Sequence, residues 1–233
     1  MLKTILALSK TSRLRNINPV EKLLFSILPI VLIGFSNNPM PIVINIIVFI
    51  LAHIICKNNR KIVLKFTIEI SVFVAISSVA LVFDYGLRYC FILVLKSLNA
   101  GLCLSFFSLT TSIDDLLNVC SKIDWLRDMC DIAKVMERFI ILIGDEFEIL
   151  HMSMKSRGGF MGYKLSIINY GKLGGLLFLN TMKRWKYIKE GLDSRCYRGV
   201  ISYLNKEFKT SILRESLIVV YLTFLYFIIY KNI

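Results

Sequence analysis

Apolar residues run almost unbroken through positions 23–35, 41–56, 62–83, 87–109 and 217–230. A helix that is apolar on every face needs a non-aqueous surrounding, and a bilayer span takes about 20 such residues. The runs predict an all-α integral membrane protein with about five transmembrane helices. The first run is short, so Pro19 to Lys22 is expected to belong to the same helix. Composition agrees: 56% of the 233 residues are apolar, against about 45–50% in soluble domains.

Charge then sets orientation. The chain carries 29 Lys and Arg against 16 Asp and Glu, a net +13. In a membrane protein such an excess gathers in cytoplasmic loops, and no nucleic-acid partner is inferred from it. Lys3, Lys10, Arg13 and Arg15 precede the first run, and Lys57, Arg60 and Lys61 follow the second. The turns at 36–41 and 84–86 hold neither Lys nor Arg. These positions place the amino terminus and the 57–61 loop in the cytoplasm of a multi-pass plasma-membrane protein. No cleavable signal peptide is expected; the first residues read as an amphipathic lead-in on the membrane surface. Within the spans, Lys65 and Glu69 are spaced to pair on one helix face. Lys96 and Asn99 are costly in lipid and are expected to face the bundle interior. His53, near the end of its run, is expected to reach the interface.

From Ser112 to Leu213 the pattern changes. This stretch holds 16 of the 29 basic and 12 of the 16 acidic residues, with apolar residues at helical spacing between them. It reads as amphipathic helices lying outside the bilayer. Ser112 and Asp115 make a capping-box-like start. The expected division is a four-span membrane region at 1–110, a cytoplasmic helical domain at 111–213 and a last transmembrane helix at 214–233.

Two segments of the cytoplasmic domain are alike. One reads Ser156-Arg157-Gly158-Gly159-Phe160, the other Ser194-Arg195-Cys196-Tyr197-Arg198-Gly199. Each joins Ser-Arg to an aromatic residue within three positions and then to glycine, and each is expected to close a helix. Gly158-Gly159 suits a left-handed helix end; with Cys196 in the glycine's place, the second helix is expected to run on to Gly199. Upstream, Phe178, Met182, Trp185, Ile188 and Leu192 step by four, three, three and four, one apolar stripe expected to pack on another helix. An arginine at each helix end suits an interface ion pair, because its planar fork grips a carboxylate and stays charged.

In these motifs the chain resembles the transmembrane T components of energy-coupling factor transporters, whose cytoplasmic coupling helices end in two Xaa-Arg-Xaa motifs. Ser156-Arg157-Gly158 and Ser194-Arg195-Cys196 correspond to them. Asn18-Pro19-Val20-Glu21-Lys22-Leu23-Leu24, the Thr110-to-Leu117 segment, and Arg138-Phe139 followed by Asp145-Glu146 are similar to other stretches of that family. Gly174-Gly175-Leu176-Leu177-Phe178-Leu179 with Lys183-Arg184 looks closest to its cobalt and nickel branch. The resemblance implies a non-catalytic subunit for cobalt or nickel uptake, with a vitamin-type importer as the alternative. It also implies two cytoplasmic ABC ATPases as partners, one on each arginine-tipped helix, and a membrane S component that binds the substrate.

No cofactor or metal site is expected. No GxxxxGK[ST] loop is present, and Gly171-Lys172-Leu173-Gly174-Gly175 lacks its spacing. The six cysteines include no CxxC pair and read as buried small hydrophobes. Two rivals of another class remain. Asp124, Asp128 and Asp131 share a helix face and would be the carboxylates of a membrane-embedded metal-dependent enzyme, although Arg127 and Lys134 among them favour a salt-bridged face. A self-sufficient channel or carrier would use Glu69, Lys96 and Asn99.

Overall fold

The computed structural model describes residues 2–36, 38–196, 208 and 211–231. Within them the chain is all-α, with eight helices: α1 Leu2–Thr11, α2 Pro19–Gly34, α3 Pro39–Ile55, α4 Arg60–Thr110, α5 Ile113–Cys120, α6 Asp124–Ser156, α7 Tyr163–Asp193 and α8 Ile212–Lys231. Proline opens both α2 and α3, where its missing N–H costs nothing and its fixed φ suits the first turn. Asn18 caps α2 by accepting from the Val20 N–H at 3.1 Å. Pro19 to Lys22 do lie in the helix of the first apolar run. Ser112 Oγ accepts from the Asp115 N–H at 3.4 Å, as expected at the start of α5.

The contacts divide the chain into two units, Met1–Val119 with the segment from Lys206 onward, and Cys120–Asn205. In the first unit, α4 is 51 residues long, which straight would measure about 76 Å. It is not straight. Gly86 has φ 79° and ψ 168°, a conformation open essentially only to glycine. Beyond it the helix folds back. Cys90 Sγ lies 3.4 Å from the Ser78 carbonyl, and a Cβ on Gly101 would stand 3.0 Å from Thr67 Cα. The arms 60–85 and 87–110 are thus an antiparallel hairpin turning where the sequence places a loop at 84–86. Small residues let its backbones approach.

The first unit hides polar groups and shows apolar ones. Ser26, Asn45, Ser71, Ser97, Asn99 and Ser105 are buried, while Val31, Ile47, Leu51, Phe73, Ile76 and Phe83 are exposed. Water would drive the opposite arrangement; a hydrocarbon solvent permits this one, because polar side chains then gain by meeting each other. The apolar core is small. Phe49 and Phe106 pack edge to face, with Phe25 stacked on Phe49, and Ile33, Ile42, Ile92, Leu225 and Ile229 join α2, α3, α4 and α8.

Polar ties cross the bundle at both levels. Asn45 Nδ2 donates to Asn99 Oδ1 at 2.8 Å, and the Tyr221 hydroxyl donates to Asn45 Oδ1. The expected inward position of Asn99 is met. Lys96 is only half-buried: its ammonium reaches the Gly34 carbonyl at 2.9 Å, where the end of α2 offers unpaired acceptors. His53 is turned into the bundle. It is buried, accepts from Asn58 Nδ2 at 2.9 Å, and lies 3.2 Å from both the Leu102 carbonyl and Ser105 Oγ. Partners on α4 hold it in. Lys65 and Glu69 pair at 3.8 Å on an exposed face. Near the ends of α2 and α8, buried Glu21 meets Arg214 at 3.2 Å.

In the second unit, α6 and α7 form an antiparallel hairpin. Glu146 of α6 accepts from Asn180 Nδ2 at 2.9 Å and lies 3.8 Å from Arg184. Nearer the turn, His151 stacks between Phe147 and Phe160.

Candidate functional site: two arginine-tipped helix ends

The end of α6 is a glycine-dependent stop. Arg157 is its capping residue, and Gly158 follows in the left-handed region at φ 71°. The Gly158 N–H donates to the Lys155 carbonyl at 3.0 Å, and the Gly159 N–H to the Met154 carbonyl at 2.9 Å. This pair of bonds is the Schellman motif, which satisfies carbonyls the helix leaves open. Gly159 is needed for a second reason: a Cβ there would lie 2.8 Å from the Met154 carbonyl oxygen. Asn169 Nδ2 donates to the Gly159 carbonyl, and Phe160 packs on His151 and Tyr170. The turn is fastened to the hairpin from the inside, and Arg157 stays exposed at its outer edge.

The end of α7 shares the left-handed turn, made by a different residue. Helix α7 stops at Asp193, so it does not run on to Gly199; Tyr197 to Gly199 lie outside the described residues. Cys196 itself takes the left-handed conformation, at φ 54°. Its N–H donates to the Asp193 carbonyl at 3.1 Å, the same three-residue step as Gly158 to Lys155. Arg195 thus precedes the left-handed residue as Arg157 does, although the cap of α7 is Ser194 and the cap of α6 is Arg157 itself. Both serines fold back alike, Ser156 Oγ onto the Ser153 carbonyl and Ser194 Oγ onto the Glu190 carbonyl. Neither serine hydroxyl projects beyond its helix end.

Because α6 and α7 are antiparallel, their carboxyl ends lie at opposite ends of the hairpin. The 31 residues of α7 measure about 46 Å, which sets the scale of that separation. Arg195 is exposed like Arg157, and no intrachain ion pair or hydrogen bond engages either guanidinium among the described residues. Two unpaired, permanently charged forks thus stand at two distant, similarly built tips.

The apolar stripe lies beside the hairpin seam. Tyr170, Leu173, Asn180 and Arg184 face α6. Phe178, Met182 and Trp185 sit about 130° further round the helix and are 64%, 47% and 50% exposed. Ile188 and Leu192 are half-buried. Lys189 lies 5.8 Å from the centroid of the Trp185 ring. The Glu146–Asn180–Arg184 cluster that ties the seam is polar, and an apolar periodicity search passes over it.

A family model described as CbiQ, cobalt transport protein, matches residues 10–210. That span includes both arginine tips. The chain belongs to the CbiQ family. A putative fused cobalt transport protein CbiMQ of Methanocorpusculum labreanum is 31% identical over 116 residues, 49% of this chain and 19% of the relative. The chain thus matches about one-fifth of that longer protein. An uncharacterised protein of Methanocaldococcus jannaschii is 22% identical over 215 residues, covering 83% of this chain and 80% of the relative.

The rival motifs of this CbiQ-family chain lie on α6 and α7. Residues 171–175, which superficially resemble a phosphate loop, are helical within α7, so their backbone N–H groups are spent inside the helix. Asp124, Asp128 and Asp131 are not gathered into a group able to hold a metal ion, and no other such group occurs among the described residues.

Proposed function

We propose that this chain is the transmembrane T component of an energy-coupling factor importer for cobalt, a non-catalytic subunit of the plasma membrane. In this reading α2, α3, the two arms of α4 and α8 are five spans, with the amino terminus in the cytoplasm. Residues 1–110 form the four-span region, 111–213 the cytoplasmic coupling region, and 214–233 the last span. The inverted burial of the first unit supports the membrane placement. Each α4 arm has about 25 residues, enough to cross about 30 Å of hydrocarbon.

The observation that carries the coupling role is the matched pair of helix ends. Arg157 and Arg195, with Ser156, Gly158, Ser194 and Cys196 shaping their tips, would each enter a groove of one ATPase. Two tips at opposite ends of one hairpin suit a pair of like subunits. ATP-driven closure of the pair would then move both tips, and the hairpin would pass the motion to the membrane. The stripe from Phe178 to Leu192 would pack against a partner helix. The fused relative unites, by its name, a CbiM part with a CbiQ part, which supports a CbiM-type S component as the membrane partner.

The test is co-purification of the ATPases and S component with the wild-type chain and with Arg157→Ala/Arg195→Ala. Loss of the ATPases with retention of the S component is expected. Wild-type ATPase recovery with the double variant would overturn the coupling role.

A further inference from the structure

A cavity of about 880 Å³ opens between α3 and the two arms of α4, within the first unit. Its volume lies in the range of ligand pockets, about 300–1,000 Å³. Ile46, Ile50, Leu64 and Leu98 contribute to its walls, while Lys57 and Arg60 stand at the end formed by the α3–α4 turn. No carboxylate lines it. The polar groups it contains are occupied: Thr67 Oγ1 donates to the Val63 carbonyl, and the His53 ring is held by Asn58 and α4. The walls therefore ask for alkyl groups, not for a polar solute.

The two cations are of another kind. Lys57 and Arg60 are exposed, and neither has an intrachain ion pair or hydrogen bond to its side chain among the described residues. Lys57 is fixed by backbone bonding, since its N–H and that of Asn58 close the end of α3 on the Ile54 and His53 carbonyls with Lys57 in the left-handed region at φ 52°. The position of the mouth is thus built, not accidental. Depth provides the last constraint. From Ile46 to Lys57 the groove follows 11 residue steps of α3 and its end, about 16 Å, or half of a hydrocarbon core about 30 Å thick. An apolar groove one leaflet deep with two unpaired cations at its rim has the outline of one lipid molecule.

We propose that this groove holds an anionic phospholipid, one acyl chain lying along α3 and α4 and the phosphate on Lys57 and Arg60. The inference rests on the membrane reading of the first unit and is independent of the ATPase contacts. Each rim cation favours an anionic headgroup by about fivefold, so the pair should give about a thirtyfold preference over a zwitterionic lipid.

The test uses the full chain purified alone and exchanged into mixed micelles of phosphatidylglycerol and phosphatidylcholine, with bound lipid counted by native mass spectrometry. Wild type should retain phosphatidylglycerol about thirtyfold over phosphatidylcholine. Lys57→Gln/Arg60→Gln, at exposed positions that leave the bundle packed, should bring the ratio close to one. Leu98→Trp, which fills the groove, should remove the bound lipid of both kinds. Added inorganic phosphate should displace nothing, because it lacks the chain that the walls hold. Equal retention of the two lipids by wild type would overturn the proposal, as would an unchanged ratio in the Gln variant or displacement by phosphate. Crosslinking of a partner helix to position 64 in native membranes, with no lipid retained after purification, would assign the groove to protein instead. The ATPases are absent throughout, so a negative result would leave the coupling role standing, and loss of that role would leave this result unmoved.

Discussion

Lys22 and Thr110 are 88 residues apart, yet the Lys22 ammonium donates to the Thr110 carbonyl at 2.9 Å in a buried position. The same carbonyl accepts from Ser12 Oγ at 3.2 Å. A cation on the last carbonyls of a helix satisfies an open acceptor and the negative end of the macrodipole together. The lysine of the Asn18-Pro19-Val20-Glu21-Lys22 segment is therefore a pin between the start of α2 and the end of α4.

Lys22→Met keeps most of the side-chain volume and removes the charged donor. It should cost about 1.5–3 kcal/mol, the worth of a hydrogen bond to a charged group, whereas Ser12→Ala should cost about 0.5–1.5 kcal/mol. Thermal unfolding of the purified chain in detergent measures both. A Lys22→Met chain that melts with wild type, or above Ser12→Ala, would show that the pin is idle.

The two helix ends differ in one testable respect. Gly158 adopts positive φ without a Cβ penalty, whereas Cys196 adopts it against one of about 1–2 kcal/mol. Cys196→Gly should therefore stabilise the end of α7, and Gly158→Ala should loosen the end of α6 by a similar amount. Hydrogen exchange of the last-turn amides, read separately for α6 and α7, should slow in the first variant and quicken in the second. Equal exchange in Cys196→Gly and wild type would mean that the left-handed turn carries no strain.

Much of this architecture is legible in the sequence because lipid-facing helices are long apolar runs, and their ends fall at Pro19, Pro39 and Gly86. The arginine tips are legible because the pattern occurs twice. What stays hidden has physical causes. The pairing of Asn45 with Asn99 and Tyr221, and the enclosure of His53 by Leu102 and Ser105, depend on contacts across 49 residues or more, and single polar residues in apolar runs have no period to betray them. Cys196 hides a helix stop because a residue with a Cβ gives no warning of positive φ. The face of α7 that meets α6 is hidden for a different reason. It carries Asn180 and Arg184 beside Leu173, so it looks more polar than the neighbouring stripe that remains uncovered.

That uncovered stripe yields a prediction that separates fold from assembly. Trp185 is half-exposed and away from the seam, so Trp185→Ala should change the stability of the isolated chain by no more than about 0.5 kcal/mol. If the stripe is a partner surface, the same change should weaken the assembled complex by about 2 kcal/mol or more, as buried interface tryptophans do. Melting of the chain alone and complex recovery during purification provide the two readings. Unchanged recovery would remove the stripe from the interface.

Topology can be read by labelling. In a chain freed of its native cysteines, Asp84→Cys at the α4 turn should react with an impermeant maleimide on intact cells. Lys172→Cys in α7 should react only after permeabilisation. The expectation rests on the 84–86 turn, which holds neither Lys nor Arg, and on the basic 57–61 loop at the other end of the same helical arm. Outside labelling at position 172 would displace α6 and α7 from the cytoplasm and end the coupling reading.

The arginines give the sharpest test, because both are exposed and unpaired within the described chain. Their substitution should leave the hairpin folded, so a loss of binding reports a contact and not a collapse. In the complex each guanidinium would be drawn from water onto an ATPase carboxylate, and removing one partner of such a pair costs about 3–5 kcal/mol. The low end weakens one contact by about a hundredfold or more. A single variant, Arg157→Ala or Arg195→Ala, should still hold its ATPases through the other tip, since the second attachment acts at high effective concentration. Transport should already fall, because one tip no longer follows its ATPase. The double variant has no second tether and should lose both assembly and transport. Arg→Lys at both tips should rescue poorly, as an ammonium keeps the charge but not the two-pronged grip. Full transport by the double Lys chain would reduce the contact to simple charge attraction, and full assembly of the double Ala chain would move the ATPase contact away from these tips altogether.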